Sequence, residues 1–350
     1  MGTMLLTLLV GAVCGLLFYR LKVPGGMIVG AIIGTAALNI GFGTAYMPGM
    51  AKTIAQITAG AFIGCTVSKE VVQRLPRLLK PLFILLGGYL ILNLVVGFIV
   101  YGISGEELVT CLMCCVPGGM SDIPIIAADM GASVPKVAVL QFVRMAVGIG
   151  FFPAMIARAA AQPADAAGAE AAPEVKKASA PGDRGPGVIL ATVAVGTIFG
   201  FLGKAAGIPA GTILFATVSV LIFKLSLGRA YIPMWLKRVA QVLTGSYIGC
   251  CFGRQELMEL KYLILPAVVL LAGYFGNCFL MGWLLPRVTH LNRAEAMLIA
   301  TPAGASDMAL ISSDLGVDNP DVAFLQVLRM IIVVTVFPHI VNLVLHLVGG

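Results

Sequence analysis

Apolar runs long enough to cross a bilayer, roughly 17–25 residues each, recur along this chain near 3–19, 24–42, 53–68, 79–103 and 135–158. A second set falls near 187–203, 208–228, 239–253, 262–285 and 322–346. Two further apolar segments, about 107–130 and 294–315, are interrupted by polar hexads, Pro117-Gly118-Gly119-Met120-Ser121-Asp122 and Pro302-Ala303-Gly304-Ala305-Ser306-Asp307. Lipid offers no partner to backbone N–H and C=O groups, so only helices and closed barrels cross it. Runs of this length predict helices. Between the two sets lies 161–186, rich in Ala, Pro and charge, which buries no core and reads as a disordered linker. The pattern therefore predicts an all-α integral membrane protein. Its parts are a first membrane repeat over 1–160, a cytoplasmic linker over 161–186 and a second membrane repeat over 187–350.

Composition supports the class. Of 350 residues, 59% are hydrophobic and only 11% charged, against about a quarter charged in soluble domains. Met1 to Tyr19 has no positively charged lead and no small-residue cleavage pattern, so it reads as a retained span rather than a signal peptide. The net charge of +7 is expected to collect on the cytoplasmic face and does not point to nucleic acid. The eight cysteines lie in apolar stretches and read as buried structural thiols, including the cluster Cys111, Cys114 and Cys115.

The chain repeats itself at one constant offset, the interval that carries Pro117 onto Pro302. At that offset Val23-Pro24-Gly25-Gly26 matches Ile208-Pro209-Ala210-Gly211. Gln56, Gly60, Ile63, Gly64 and Cys65 match Gln241, Gly245, Ile248, Gly249 and Cys250. Asp129 matches Asp314, and Leu140-Gln141-x-x-Arg144-Met145 matches Leu325-Gln326-x-x-Arg329-Met330. The basic loops, however, change rank between the units. Arg20, Lys22 and the group Lys69, Arg74, Arg77, Lys80 follow spans one and three. Lys224, Arg229, Lys237, Arg238 and then Arg287, Arg293 follow spans two and four of the second unit. If basic loops face the cytoplasm, the repeats are inverted. Each unit then needs five full spans plus a re-entrant, Pro/Gly-broken hairpin with the hexad at its tip, and both termini lie outside. Hexad segments that crossed fully would instead give six spans and parallel repeats.

Asp122 and Asp307 stand at helix breaks in apolar surroundings, where a carboxylate costs roughly 2.5–3.5 kcal/mol on insertion scales. That cost points to a protein-enclosed, wettable site. The simpler alternative is that Ser121 and Ser306 cap the second half-helices. Gly118, Gly119 and Gly304 would let the backbone approach a ligand. Half-helix N-termini and unwound carbonyls suit anionic solutes and cations respectively. Asp129 and Asp314, two residues before a glycine, read either as further ligands or as interfacial helix ends. Arg144 and Arg329 lie inside a span and need partners, either an aspartate as structural glue or a substrate carboxylate held by both arms of the guanidinium. Gln56 and Gln241 either line the same cavity or bond between helices.

The doubled hexad, each copy followed by Leu-Gln-x-x-Arg-Met, resembles the AbrB-type duplicated membrane protein family of bacteria, over essentially the whole chain outside the linker. Members carry labels such as ammonia monooxygenase or regulator, so the resemblance implies membership rather than an activity or an assigned site. The inverted repeats with Gly-rich hairpins are also similar to citrate- and glutamate-type sodium symporters, in architecture alone. An oxygenase needs a ligand set rich in imidazole, and His290, His339 and His346 do not form one by spacing. A regulator would lack any soluble sensing or DNA-binding domain. The expectation is a non-enzymatic secondary active transporter of a small anionic organic solute, multi-pass in the bacterial inner membrane and coupled to protons or sodium. No cofactor is expected beyond a sodium ion. Its partners would be the solute and the lipid bilayer, with a homodimer left open. A channel, or a membrane-embedded regulator acting indirectly on gene expression, is the alternative.

Overall fold

The structure, a computed structural model, describes residues 2–23, 25–160, 185–302 and 319–348. Every regular element among them is helical. The first half runs through α1 (Gly2–Arg20), α2 (Gly26–Phe42), α3 (Gly49–Thr66) and α4 (Lys69–Ser104). It continues through the short pair α5 (Leu108–Cys115) and α6 (Ile123–Asp129) into α7 (Val134–Gly150) and α8 (Phe152–Ala160). The second half has α9 (Pro186–Ala205), α10 (Gly211–Leu227) and α11 (Met234–Cys250). It goes on through α12 (Arg254–Glu259), α13 (Ile264–Val288), α14 (Arg293–Ile299) and α15 (Pro320–Val348). Five helical stretches, α1, α4, α9, α12 with α13, and α15, are long and apolar enough to cross a membrane. The linker and residues 303–318 lie outside the described residues.

Local sequence sets the ends. Gly43, Gly105 and Gly228 close α2, α4 and α10 in the left-handed region, where a side chain would be strained. Ser68 caps α4 by accepting from the Val71 N–H, and Asn292 and Glu295 form a reciprocal capping box on α14. One expected span is divided. The run 135–158 breaks at Phe151 into α7 and α8, whereas its counterpart α15 is continuous although Pro338 matches Pro153. The proline alone does not explain the break. Gly148 and Gly150 precede it in the first half where Val333 and Thr335 stand in the second, and glycine costs a helix interior up to about 1 kcal/mol each.

The helices sort into two bodies. Helices α1–α3 and α9–α11 pack on one another, as do α4–α8 and α12–α15. Among the described residues the backbones approach across the seam at few places, α6 and α7 against α11 and α15 against α3 and α10, while side chains such as Ile28, Ile32, Met120 and Ile125 fill it. Within the first body, small residues let backbones touch. A Cβ added at Gly60 or Gly64 of α3 would meet the carbonyls of Ile213 and Thr217 on α10. One added at Gly245 or Gly249 of α11 would meet those of Ile28 and Ile32 on α2. These partners too are related by the repeat offset, so the halves exchange contacts. In the second body α4 crosses α13. A Cβ at Gly88 would fall against Met281 and Asn277, and one at Gly273 against Val96 and Leu92. As numbers rise on α4 they fall on α13, so the two helices run antiparallel.

One exchanged pair reverses its charges. Lys136 on α7 bonds Glu259 at 2.7 Å and Glu106 at 2.6 Å. The repeat counterparts of Lys136 and Glu259 are Asp321 and Arg74, and these bond each other at 3.0 Å. Arg77 and His290 add to Asp321 at 3.9 and 3.1 Å.

The glycine contacts give a direct test. Gly64→Leu and Gly249→Leu should each lower the melting temperature of the detergent-purified protein, since overpacking of this kind costs about 1–3 kcal/mol. Gly41→Leu and Gly87→Leu, where an added Cβ meets nothing within 4 Å, should leave it unchanged or raise it.

Candidate functional site

An interrupted helix inside an apolar bundle leaves the last four carbonyls of its first arm without helical partners. In α5 those are the carbonyls of Leu112, Met113, Cys114 and Cys115, and neighbouring side chains satisfy all four. Asn93 on α4 donates to Leu112 O at 2.9 Å. Gln141 on α7 donates to Met113 O at 3.3 Å, Cys114 O at 3.2 Å and Val116 O at 3.0 Å. Tyr274 on α13 gives its hydroxyl proton to Cys115 O at 3.1 Å. Arg144 then reaches past the helix end, donating to Val116 O at 3.0 Å and to Gly118 O. Its positive charge also faces the negative end of the α5 dipole.

The end of α14 is held in the same way. Cys278 donates to Met297 O at 3.5 Å and Gln326 to Leu298 O at 3.4 Å. Arg329 donates to Ile299 O at 2.8 Å, Thr301 O at 2.7 Å and the Tyr89 hydroxyl at 3.0 Å. The guanidinium of Arg329 faces the Tyr89 ring and that of Arg144 the Tyr274 ring, 5.6 and 5.7 Å from their centroids. Each arginine thus leans on a tyrosine from the other half. The two rings lie 6.3 Å apart. Both arginines are almost fully buried, and among the described residues Arg144 meets carbonyls and an aromatic face, not a carboxylate.

Both arms of the first hairpin return to one end. The Ser133 N–H donates to Thr110 Oγ1 at 3.0 Å, so α7 starts beside the start of α5. Asn319 likewise donates to Glu295 at 2.9 Å, setting the start of α15 beside that of α14. At the tip, the glycines serve the turn itself. A Cβ on Gly118 would strike Ile123, and one on Gly119 the Asp122 carboxylate. Asp122 occupies the N-cap position of α6 without a side-chain capping bond. Ser121 does not cap the helix; its hydroxyl donates to Asp122 Oδ1 at 3.2 Å. Asp122 is only 8% exposed.

Asp129 ends α6 and ties the hairpin to the other body. It bonds Lys52 at 2.6 Å and accepts from Gln56 at 2.6 Å, both on α3. This joins two expected site residues but not at the tip. Lys52 was missed by sequence reasoning, although Lys237 is its repeat counterpart and Lys-x-x-x-Gln recurs with it. Gln241 lines a cleft described below. Gly304, Ser306, Asp307 and Asp314 lie outside the described residues. Tyr89 and Tyr274, and Asn93 with its counterpart Cys278, were also missed, although the repeat offset pairs them.

Two clefts open along the seam beside the first tip. One, of about 360 Å³, is apolar and lined by residues such as Ile33, Met120, Phe142 and Phe252. The other, of about 640 Å³, includes Gly25, Arg20, Lys22, Lys237, Arg238 and Gln241. Between them, a Cβ on Gly25 would lie 3.2 Å from Met145 and 3.7 Å from the Met120 sulfur. The hexad residue Met120 therefore stands between a basic and an apolar opening.

The carbonyl account predicts that Arg144→Met destabilises the protein, by about 1–3 kcal/mol for each carbonyl left unpaired. Asp129→Asn, which loosens a partly exposed ion pair, should cost under about 1 kcal/mol. Melting temperatures in detergent, side by side, would check the order; an equal loss would refute it.

A family model described as "Transition state regulatory protein AbrB" matches residues 1–160 and again 81–345. The chain is 24% identical over 310 residues to "Uncharacterized protein YhjN" of Bacillus subtilis (strain 168), covering 85% of this chain and 79% of that protein. It is 24% identical over 334 residues to "Putative regulator AbrB" of Escherichia coli (strain K12), covering 93% and 92%. No solved structure matches it. The two family matches overlap and between them take in both hexads and both Leu-Gln-x-x-Arg-Met segments, so the chain belongs to the AbrB family.

Proposed function

We propose that this protein is a secondary active transporter that moves a small anionic organic solute across the bacterial inner membrane, coupled to protons or sodium. One observation carries the reading. The hexad 117–122, a break with a buried carboxylate, sits at the seam between two helix bodies with a cleft on either side. Close backbone packing within each body, against few backbone approaches between them among the described residues, favours rigid-body motion at the seam. Such a motion would open one cleft and close the other around the tip.

The architecture we assign is two inverted repeats of five spans plus one re-entrant hairpin. The exchange of contacts at the repeat offset supports a two-fold relation between the halves. The antiparallel crossing of α4 and α13 supports an axis perpendicular to those helices, in the membrane plane. The bonds Ser133 to Thr110 and Asn319 to Glu295 support hairpins that enter and leave on one face. On this reading Arg20, Lys22, Arg74, Arg77, Lys224 and Lys237 share a face. The opposite face mixes Lys136, Lys204 and Lys261 with Glu106, Glu256 and Glu259, which supports a cytoplasmic assignment for the first. Asp122, with Asp307 in the second hairpin, is the ion-coupling group. Arg144 is committed to carbonyls, which favours a scaffold role for it over solute binding. The regulatory wording of the family description fits an effect on expression through the solute moved.

Single cysteines at Lys22 and Gly105, in a background lacking the eight native cysteines, should label from opposite faces of oriented vesicles; labelling from one face refutes the inverted arrangement. In proteoliposomes, a pH or sodium gradient should drive accumulation of a di- or tricarboxylate from a test panel. Asp122→Asn should abolish accumulation while the protein remains folded. Flux that equilibrates without ever concentrating solute would mark a channel instead.

A further inference from the structure

We propose that the basic cleft is a capture site for a multiply charged anion carrying two or more carboxylates or a phosphate. Its role as a vestibule rests on the transport reading above; the binding site itself does not. Four cations from two parts of the chain line it, Arg20 and Lys22 around the end of α1 and Lys237 and Arg238 on α11. Among the described residues no carboxylate lines it. Its volume lies within the ~300–1,000 Å³ range of small-molecule sites and far exceeds what one chloride fills.

The cations are placed, not merely present. Lys22 sits in the left-handed region at φ 56°, a conformation that strains any residue with a Cβ. The matching turn of the second half carries Gly207 at φ 65°, the residue that adopts it freely. The first half thus holds a lysine where the fold prefers glycine. Arg20 and Arg238 are likewise private to this cleft, their counterparts being Ala205 and Thr53. A general need for positive charge on one face would be met by a basic residue anywhere in the loop. It does not call for one at the strained position.

Two of the groups are also held in position. Arg238 donates to the Tyr19 hydroxyl at 2.7 Å and stacks over its ring at 4.6 Å. The Lys237 ammonium lies 4.0 Å from the centroid of Phe62. A guanidinium fixed in this way meets carboxylate or phosphate oxygens with less ordering cost. The N-terminus of α2 opens on the same space and adds its partial positive charge. Gln241 supplies a neutral amide, and Gly25 connects the cleft to Met120 at the hairpin tip.

The test uses the full-length protein in neutral detergent, titrated with citrate and with pyrophosphate, and with acetate and chloride at matched ionic strength. Binding is read by calorimetry and by melting temperature. Citrate or pyrophosphate should bind and raise the melting temperature where acetate and chloride do not. Lys22→Gly should weaken that binding roughly tenfold, the order expected for one charged contact, without lowering the melting temperature of the free protein. Misfolding cannot then account for the loss. Arg238→Gln should weaken it similarly. Equal affinity in the wild type and both variants would overturn the site, as would an equal response to acetate. The same titrations in nanodiscs of phosphatidylcholine and of phosphatidylglycerol separate the two sources of anion. Protection by phosphatidylglycerol, lost in Lys22→Gly, with no response to soluble anions would assign the cleft to lipid headgroups and overturn capture of a solute. Specific binding in a protein that accumulates no solute would keep the site and refute transport. Gradient-driven uptake without citrate or pyrophosphate binding would do the reverse.

Discussion

Ending a helix inside an apolar bundle is permitted only if something else takes up its last carbonyls, and much of this protein is arranged to meet that demand. In water the ends of α5 and α14 would be hydrated. Here Asn93, Gln141, Arg144 and Tyr274 converge on one end, and Cys278, Gln326 and Arg329 serve the other. These donors come from α4, α7, α13 and α15, so the positions of four long helices are fixed by two short ones. A charge-assisted donor suits the last place in the series, because the helix dipole is strongest at its terminus. The hairpin tip is left free of that duty. It can carry Asp122 and an irregular backbone because its supporting carbonyls are already paired.

The halves depend on each other through exchange. Tyr274 serves the hairpin of the first half, and Tyr89 the arginine of the second. The exchange extends to the rim, where Lys136 with Glu259 and Asp321 with Arg74 occupy the same pair of positions with signs reversed. The geometry of the contact survives the reversal because an ion pair attracts whichever partner carries which charge. The face it presents to its surroundings does not survive. The outer member of the pair is basic at one rim and acidic at the other. The repeat thus keeps a packing contact while differing in the property that sets orientation in a bilayer.

Much of the helical layout was legible in the sequence because apolar runs of a given length admit few alternatives. The constant repeat offset marked out which residues should be treated alike. The division of one span at Phe151 was not legible, since the nearby proline also occurs in the unbroken α15; among the differences between the two segments are two glycines just before the break. Arg144 shows a deeper limit. Sequence pointed to a buried charge in need of a partner, and the natural candidates were the four aspartates of the doubled motif. Backbone carbonyls leave no mark in the sequence, so a capping role had no signal to announce it. Lys52 shows the opposite case. Its recurrence at Lys237, four residues before a glutamine in both halves, was available to inspection, and with Gln56 it ties Asp129 to the other body.

The glycine contacts between α2 and α11 carry a consequence for how the chain is made. The carbonyls of Ile28 and Ile32 wait for Gly245 and Gly249, and the Asn39 amide donates to the carbonyls of Cys250 and Phe252. These partners lie more than two hundred residues downstream. At the usual rate of synthesis, about 5–20 residues per second, α2 is in place for some ten to forty seconds before its neighbour emerges. During that interval the face of α2 that will receive the two glycines of α11 is covered only by lipid or by the insertion machinery. The nascent first half is therefore an open structure whose completion is timed by the ribosome.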